Sequence, residues 1–169
     1  QIPTVRNVSS KNFGTVTIRG DLQTNTADNK YQISYLIKKN SPVPADVTQS
    51  FVTTRDNQKS VTVEIIESDA DDVPDSEPIE TDPSTPTNYK LPPYAQMIDE
   101  GQVELSGDTF KGSPISIRFQ LDRDGGRLIA TGQDPITGNS ITINMDHIGA
   151  VKPADLEKSR EDLDNTEIR

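Results

Sequence analysis

The sequence predicts an all-β protein: an antiparallel β-sandwich of about eight strands, followed by a short C-terminal helical segment. Apolar and polar residues alternate in short stretches, most strictly where Ile115, Ile117, Phe119 and Leu121 are separated by polar residues. Turn-forming clusters such as Asp124-Gly125-Gly126 lie between the stretches. Only 31% of the residues are apolar and 5% aromatic, which suits the thin core of a two-layer β structure.

The predicted strands are short and are separated by polar, glycine-containing or proline-containing segments. They cover residues 13–19, 31–37, 47–54, 60–66, 102–105, 115–121, 127–132 and 140–145. Alternation with one polar face is typical of antiparallel sheets that expose one side to water. We expect strands three and four to form a hairpin, because Arg55-Asp56-Asn57-Gln58 supplies turn formers between them.

Two loops interrupt the strands. Residues 19–30 are polar, and residues 67–93 are rich in acid and proline. Between Glu67 and Tyr89 there are eight Asp or Glu residues and no Lys or Arg. Because like charges repel and proline disfavours regular structure, we expect residues 67–93 to form an extended, mobile, solvated loop that buries no core.

We predict a sandwich domain over residues 1–149, with residues 67–93 as an inserted loop, and a helical segment over 150–169. The helix is predicted from Lys152-Pro153 and the acids that follow. The chain begins at Gln1 without methionine, and we expect it to be a piece of a longer protein.

Composition excludes several function classes. The net charge of −10 argues against nucleic acid and against anionic membrane surfaces, since both require clustered Lys and Arg. The chain has no cysteine, so disulfides and thiol catalysis are excluded, and a cytoplasmic location is expected. His147 is the only histidine, which excludes a multi-histidine zinc site.

The acidic residues offer two further hypotheses. Asp122 and Asp124 flank a glycine-rich turn, but a catalytic pair requires one carboxyl in an apolar pocket, and a turn keeps both in water. Calcium prefers oxygen ligands, and Asp69, Asp71, Asp72 and Asp75 could supply them. These four lack the spacing of a helix-loop-helix calcium site, so a solvated run of charge is the favoured interpretation. We expect no enzyme activity, no metal and no cofactor.

Apolar residues of the third, fourth and sixth predicted strands carry one more possibility. Phe51, Val61, Val63 and Ile115 could line a small dry pocket for the side chain of an extended peptide. From their spacing alone, sandwich core is the favoured interpretation of these residues.

Several motifs, in order along the chain, resemble the substrate-binding β domain of the seventy-kilodalton heat-shock chaperones, the DnaK family. The most specific are FxTxxDNQxxVTV at 51–63 and the strand end LIKKNSPVP at 36–44. NVSS…FG at 7–14, GQVELSG at 101–107, KGSP at 111–114 and FQLDRDG at 119–125 follow the same order. The similarity extends from about residue 5 to about residue 162.

The resemblance implies that this chain captures extended apolar segments of unfolded polypeptides. It implies a pocket lined by Phe13, Thr15, Phe51, Val61, Val63 and Ile115, with Val61 at its floor. Ile18 and Thr54 would correspond to the pair that arches over the peptide. The implied partners are unfolded or extended peptide segments, the nucleotide-binding domain of a parent chain, and a J-domain co-chaperone.

Two alternatives stay open. The polar Thr15 and the long segment 19–30 depart from the family pattern, and favour a non-catalytic interaction module that has lost peptide capture. An extracellular, calcium-dependent adhesion module is compatible with the acidic loop and the absence of cysteine.

Overall fold

Ten antiparallel strands build the protein in the computed structural model, which describes residues 7–18 and 31–146. The strands are β1 Asn12–Ile18, β2 Tyr31–Ile37, β3 Ala45–Val52, β4 Ser60–Ser68, β5 Ser76–Thr81, β6 Tyr89–Lys90, β7 Ala95–Glu104, β8 Pro114–Leu121, β9 Arg127–Gln133 and β10 Ser140–Asp146. The all-β prediction is confirmed. The predicted loop 19–30, His147 and the predicted helix at 150–169 lie outside the described residues.

The strands form two sheets. One has six strands in the order β6-β5-β2-β1-β4-β7, and the other has four in the order β10-β9-β8-β3. Their facing sides bury a shared core in which Phe13, Ile65 and Val103 of the larger sheet meet Phe119 and Leu128 of the smaller. The alternation at 115–121 is confirmed, since Ile115, Ile117, Phe119 and Leu121 are all buried.

The predicted hairpin between strands three and four is wrong. β3 pairs with β8 in the four-stranded sheet, whereas β4 pairs with β1 and β7 in the six-stranded sheet. The polar segment after Val52 therefore connects one layer of the sandwich to the other. Local alternation identified β3 and β4 as strands, but it carries no information about which distant strand completes the hydrogen-bond ladder.

The prediction of a mobile loop at 67–93 is also wrong. β4 continues to Ser68, β5 pairs antiparallel with β2, and β6 pairs with β5. Ile79 is 3% exposed and Tyr89 is also buried. They form a second core cluster with Val16, Ile33, Tyr35 and Ile66, with Val73 and Leu91 packed against it.

The second cluster explains why this acidic segment is ordered. Val16 and Ile66 alternate with the core residues Phe13 and Ile65 along β1 and β4, so they lie on the opposite face of the six-stranded sheet. That face would otherwise expose a row of apolar side chains. The acidic segment covers it with a few apolar residues, and most of its carboxylates are exposed.

Candidate functional site

A groove with a volume of about 500 Å³ opens where edges of the two sheets approach each other. Its walls come from β1, β2, β3, β4 and β8, the first residue of β5, and the connection between β3 and β4. The lining residues include Thr15, Val16, Thr17, Ile18, Tyr31, Gln32, Ser34, Gln49, Ser50, Phe51, Val52, Thr54, Gln58, Val61, Thr62, Glu64, Ile115 and Ile117. The groove thus combines an apolar floor with a polar rim.

The groove forms because β1 and β4 stop pairing partway along their length. Their register runs from Asn12↔Ser68 to Thr15↔Ile65 and ends there. Beyond that point β1 continues alongside β2 up to Ile18, and β4 continues alongside β7 from Glu64 back to Ser60. Among the described residues, nothing pairs with the facing edges of these two continuations.

A third strand edge borders the groove. β3 lies at the end of the four-stranded sheet and pairs only with β8 among the described strands. Gln49 and Phe51 of β3 are half-buried on the core side, and Ser50 and Val52 are exposed on the other side. Free strand edges present unpaired N–H and C=O groups, which an additional extended chain can satisfy.

The structure brings six of the eight predicted site residues together. Thr15, Ile18, Phe51, Thr54, Val61 and Ile115 all line the groove. Phe13 and Val63 do not line it, because both are fully buried in the core between the sheets. Val61 packs against that core from its border, where one side remains open to the groove.

Several lining residues were missed by sequence reasoning, among them Gln32, Gln49 and Glu64. Gln32 and Gln49 occupy inconspicuous positions within predicted strands. Glu64 interrupts the apolar run Val61-Thr62-Val63-Glu64-Ile65-Ile66, and a charged residue in such a strand is a signal that could have been used. Which of these residues share a groove depends on strand pairing, which the local pattern does not reveal.

The polar side chains of the wall are held by hydrogen bonds. Thr17 Oγ1 and Ser34 Oγ lie 2.8 Å apart, and Gln32 Nε2 donates to Thr17 Oγ1 at 3.3 Å. Thr15, which the resemblance placed in the pocket, is almost fully buried. These contacts fix the β1–β2 wall without occupying the backbone edge of β1 that faces β4.

The connection between β3 and β4 is also well anchored. The backbone N–H of Thr54 donates to Gln58 Oε1 at 3.0 Å, and Gln58 Nε2 donates to the carbonyl of Ser60 at 2.9 Å. Thr53 Oγ1 donates to the carbonyl of Phe110 at 3.0 Å, which ties this connection to the β7–β8 loop. The side chain of Gln58 thus bonds to the backbone of the connection itself.

Glu64 is the only carboxylate among the described residues that line the groove, and no lysine or arginine lines it there. It lies directly opposite Glu100 in the β4–β7 register. Burial raises the pKa of the Glu64 carboxyl, the charge of Glu100 raises it further, and the hydrogen bond from Tyr89 opposes both. The Tyr89 hydroxyl donates to Glu64 Oε2 at 2.5 Å.

Three of the four aspartates considered above as calcium ligands pair with lysines. Lys39 Nζ lies 3.3 Å from Asp69 and 2.9 Å from Asp71, and Lys38 Nζ lies 2.6 Å from Asp75. The hydrogen bonds from these lysines lower the pKa values of Asp69 and Asp75. Within residues 7–18 and 31–146, no three His, Cys, Asp or Glu side chains are placed to hold a metal ion.

Asp122 closes a turn rather than forming a pair with Asp124. Its Oδ1 accepts hydrogen bonds from the backbone N–H groups of Gly126 and Arg127, at 3.0 and 3.2 Å.

No helix in the described part of the chain is long and apolar enough to span a membrane. Comparison of the sequence with models of known protein families finds no match.

Proposed function

We propose that this chain captures extended apolar segments of unfolded polypeptides, as the substrate-binding domain of a DnaK-like chaperone. One observation carries the proposal: β1 and β4 separate after Thr15↔Ile65 and leave two facing strand edges on either side of an apolar floor. An extended peptide bound there gains backbone hydrogen bonds from the edges and a site for an alternate side chain on the floor.

The size of the groove suits one apolar side chain with its flanking backbone. Phe51, Val61 and Ile115 supply the floor, and burying a leucine-sized side chain on it contributes about 1.5–3 kcal/mol. Each backbone hydrogen bond adds about 1 kcal/mol net. Since ordering the peptide opposes these gains, we expect dissociation constants on the order of micromolar.

The motif resemblance supports the same function. Six of the eight residues that it assigns to peptide contact line one groove, although they come from five different segments of the chain. In the full protein, a nucleotide-binding domain and a J-domain co-chaperone would control peptide release, in the cytoplasm. The present chain would bind peptide without catalysing a reaction.

Fluorescence anisotropy of a labelled, leucine-centred heptapeptide tests the proposal. Val61→Phe places an aromatic ring in the groove from its floor, and we expect it to weaken binding at least tenfold. Val8→Phe makes the same chemical change at an exposed position that does not line the groove, and should leave the affinity unchanged. Ser50→Trp blocks the groove from the exposed face of β3 and leaves the core intact.

Saturable binding that is lost in Val61→Phe and Ser50→Trp, with unchanged thermal unfolding in the second variant, supports peptide capture at this groove. No binding by the unmodified chain, or binding that is indifferent to both changes, contradicts it.

One observation favours a second candidate, an interaction module that contacts folded partners. Phe110 is 79% exposed and Val52 is 61% exposed. Thr53, which follows Val52 in the chain, donates a hydrogen bond to the Phe110 carbonyl and so holds the segments of the two exposed residues side by side. Exposed apolar side chains at neighbouring positions are typical of protein contact sites. Phe110→Ser would impair this function and leave groove binding of a heptapeptide unaffected.

A further inference from the structure

Glu64 is the only carboxylate among the described residues that line the groove, and it has no cationic partner among them. Asp46, Asp69, Asp71, Asp75 and Asp146 each form an ion pair with a lysine or arginine. No such pair involves Glu64 or Glu100 within residues 7–18 and 31–146, although the two lie directly opposite each other in neighbouring strands. Like charges in this position destabilise a sheet.

The contacts that Glu64 does make hold it in place without neutralising it. Tyr89 donates one hydrogen bond to Oε2, and the Tyr89 ring lies 5.5 Å from that of Tyr31, which lines the groove. Glu64 is half-buried, so its charge is less screened by water than that of a fully exposed carboxylate. A cation that reaches the groove therefore meets a fixed, partly desolvated carboxylate.

The position of Glu64 along β4 determines which residue of a bound peptide it can reach. Val61, Val63 and Ile65 direct their side chains toward the core, and Thr62 and Glu64 project on the other face of the strand. A peptide that extends the sheet along this edge alternates in the same way. When one of its side chains enters the apolar floor, the two adjacent side chains lie on the face that carries Glu64.

We propose that the groove selects extended segments in which a lysine or arginine directly adjoins the apolar residue on the floor, and that Glu64 is the residue that determines this preference. The inference rests on the proposed function and deepens it. It assigns the preference to one side chain and one register, as distinct from a general attraction of basic peptides to an acidic protein.

Two heptapeptides of identical composition test the register. Both have a central leucine and one lysine, which is adjacent to the leucine in the first and two positions away in the second. A third peptide carries serine in place of lysine. We expect the adjacent-lysine peptide to bind about three- to tenfold more tightly than the displaced-lysine peptide, the scale of a partly screened ion pair.

Glu64→Gln should bring this ratio of affinities to about one. Glu80→Gln removes one charge from the exposed side of the acidic segment, outside the groove, and should keep the ratio. Equal binding of the two lysine peptides to the unmodified chain would overturn the inference, and so would a ratio that persists in Glu64→Gln. If the serine peptide also fails to bind, the proposed function itself is contradicted.

Discussion

The Tyr89 hydroxyl donates a 2.5 Å hydrogen bond to Glu64 and so links the acidic segment to the strand that borders the groove. Tyr89 belongs to β6 and is buried in the second core cluster, whereas Glu64 is half-buried on β4. The segment that sequence composition marks as solvated is therefore bonded to the candidate binding site through a buried side chain.

Tyr89→Phe should destabilise the fold by about 1–2 kcal/mol, because it removes a hydrogen bond to a carboxylate and preserves the packing of the ring. Chemical unfolding in urea measures the loss. Tyr94→Phe is the matched control: its hydroxyl donates to Glu77, but its side chain is exposed, so we expect a smaller loss of about 0.5 kcal/mol. Equal losses in the two variants would contradict the structural role of Tyr89.

Ile79→Ala tests whether the acidic segment is part of the core. Since Ile79 is buried in the second cluster, its truncation should cost about 2–4 kcal/mol and lower the thermal unfolding temperature by several degrees. Ile136 is 63% exposed, and Ile136→Ala should change stability by less than about 0.5 kcal/mol. A mobile, solvated segment would instead make both substitutions equally harmless.

Alanine substitution should have opposite consequences at Gly14 in β1 and at Gly126 in the β8–β9 turn. An added Cβ at Gly14 would lie 2.5 Å from the backbone oxygen of Ser34 on the paired strand, and this atom cannot move without disturbing the sheet. Gly14→Ala should therefore cost more than about 2 kcal/mol. At Gly126 nothing lies within 4 Å, so Gly126→Ala should be nearly neutral. Thermal unfolding of the two variants compares them directly.

The positions of individual strands were predictable because alternation is a local property. Seven of the predicted strands agree closely with β1–β4 and β8–β10, and the remaining one captures only the end of β7. Pairing was not predictable, as the separation of β3 and β4 into different sheets shows. Ile79 and Tyr89 were overlooked because two apolar residues among many carboxylates give no periodic signal, and their burial depends on the distant residues Val16 and Ile66.

The site was partly predictable for the same reason. Phe51, Val61 and Ile115 could be identified from motif resemblance and from their apolar positions in strands. Glu64 acquires its significance only from its position opposite Glu100, from the bond with Tyr89, and from the point at which β1 leaves β4. All three are properties of the assembled sheet.

Glu64 also predicts a particular dependence of stability on pH. Its folded-state pKa is raised, mainly by burial, above the value of about 4.3 expected for an unfolded chain. Between these two pKa values the folded state binds more protons than the unfolded state. Its contribution to stability is therefore fully present below about pH 4.3 and is lost as the pH rises through the folded-state pKa.

Glu64→Gln should abolish this contribution, so the difference in unfolding free energy between the variant and the unmodified chain isolates it. At pH 7 the variant should be more stable by about 0.2–1 kcal/mol, because the repulsion between Glu64 and Glu100 is removed. The difference should shrink as the pH falls below about 4.3, where Glu64 becomes protonated in both states. Aspartates with lowered pKa values, such as Asp46 and Asp75, act in the opposite direction in both proteins and cancel in the comparison. A variant that is less stable at pH 7 would show that Glu64 stabilises the sheet, and would contradict the expected repulsion between Glu64 and Glu100.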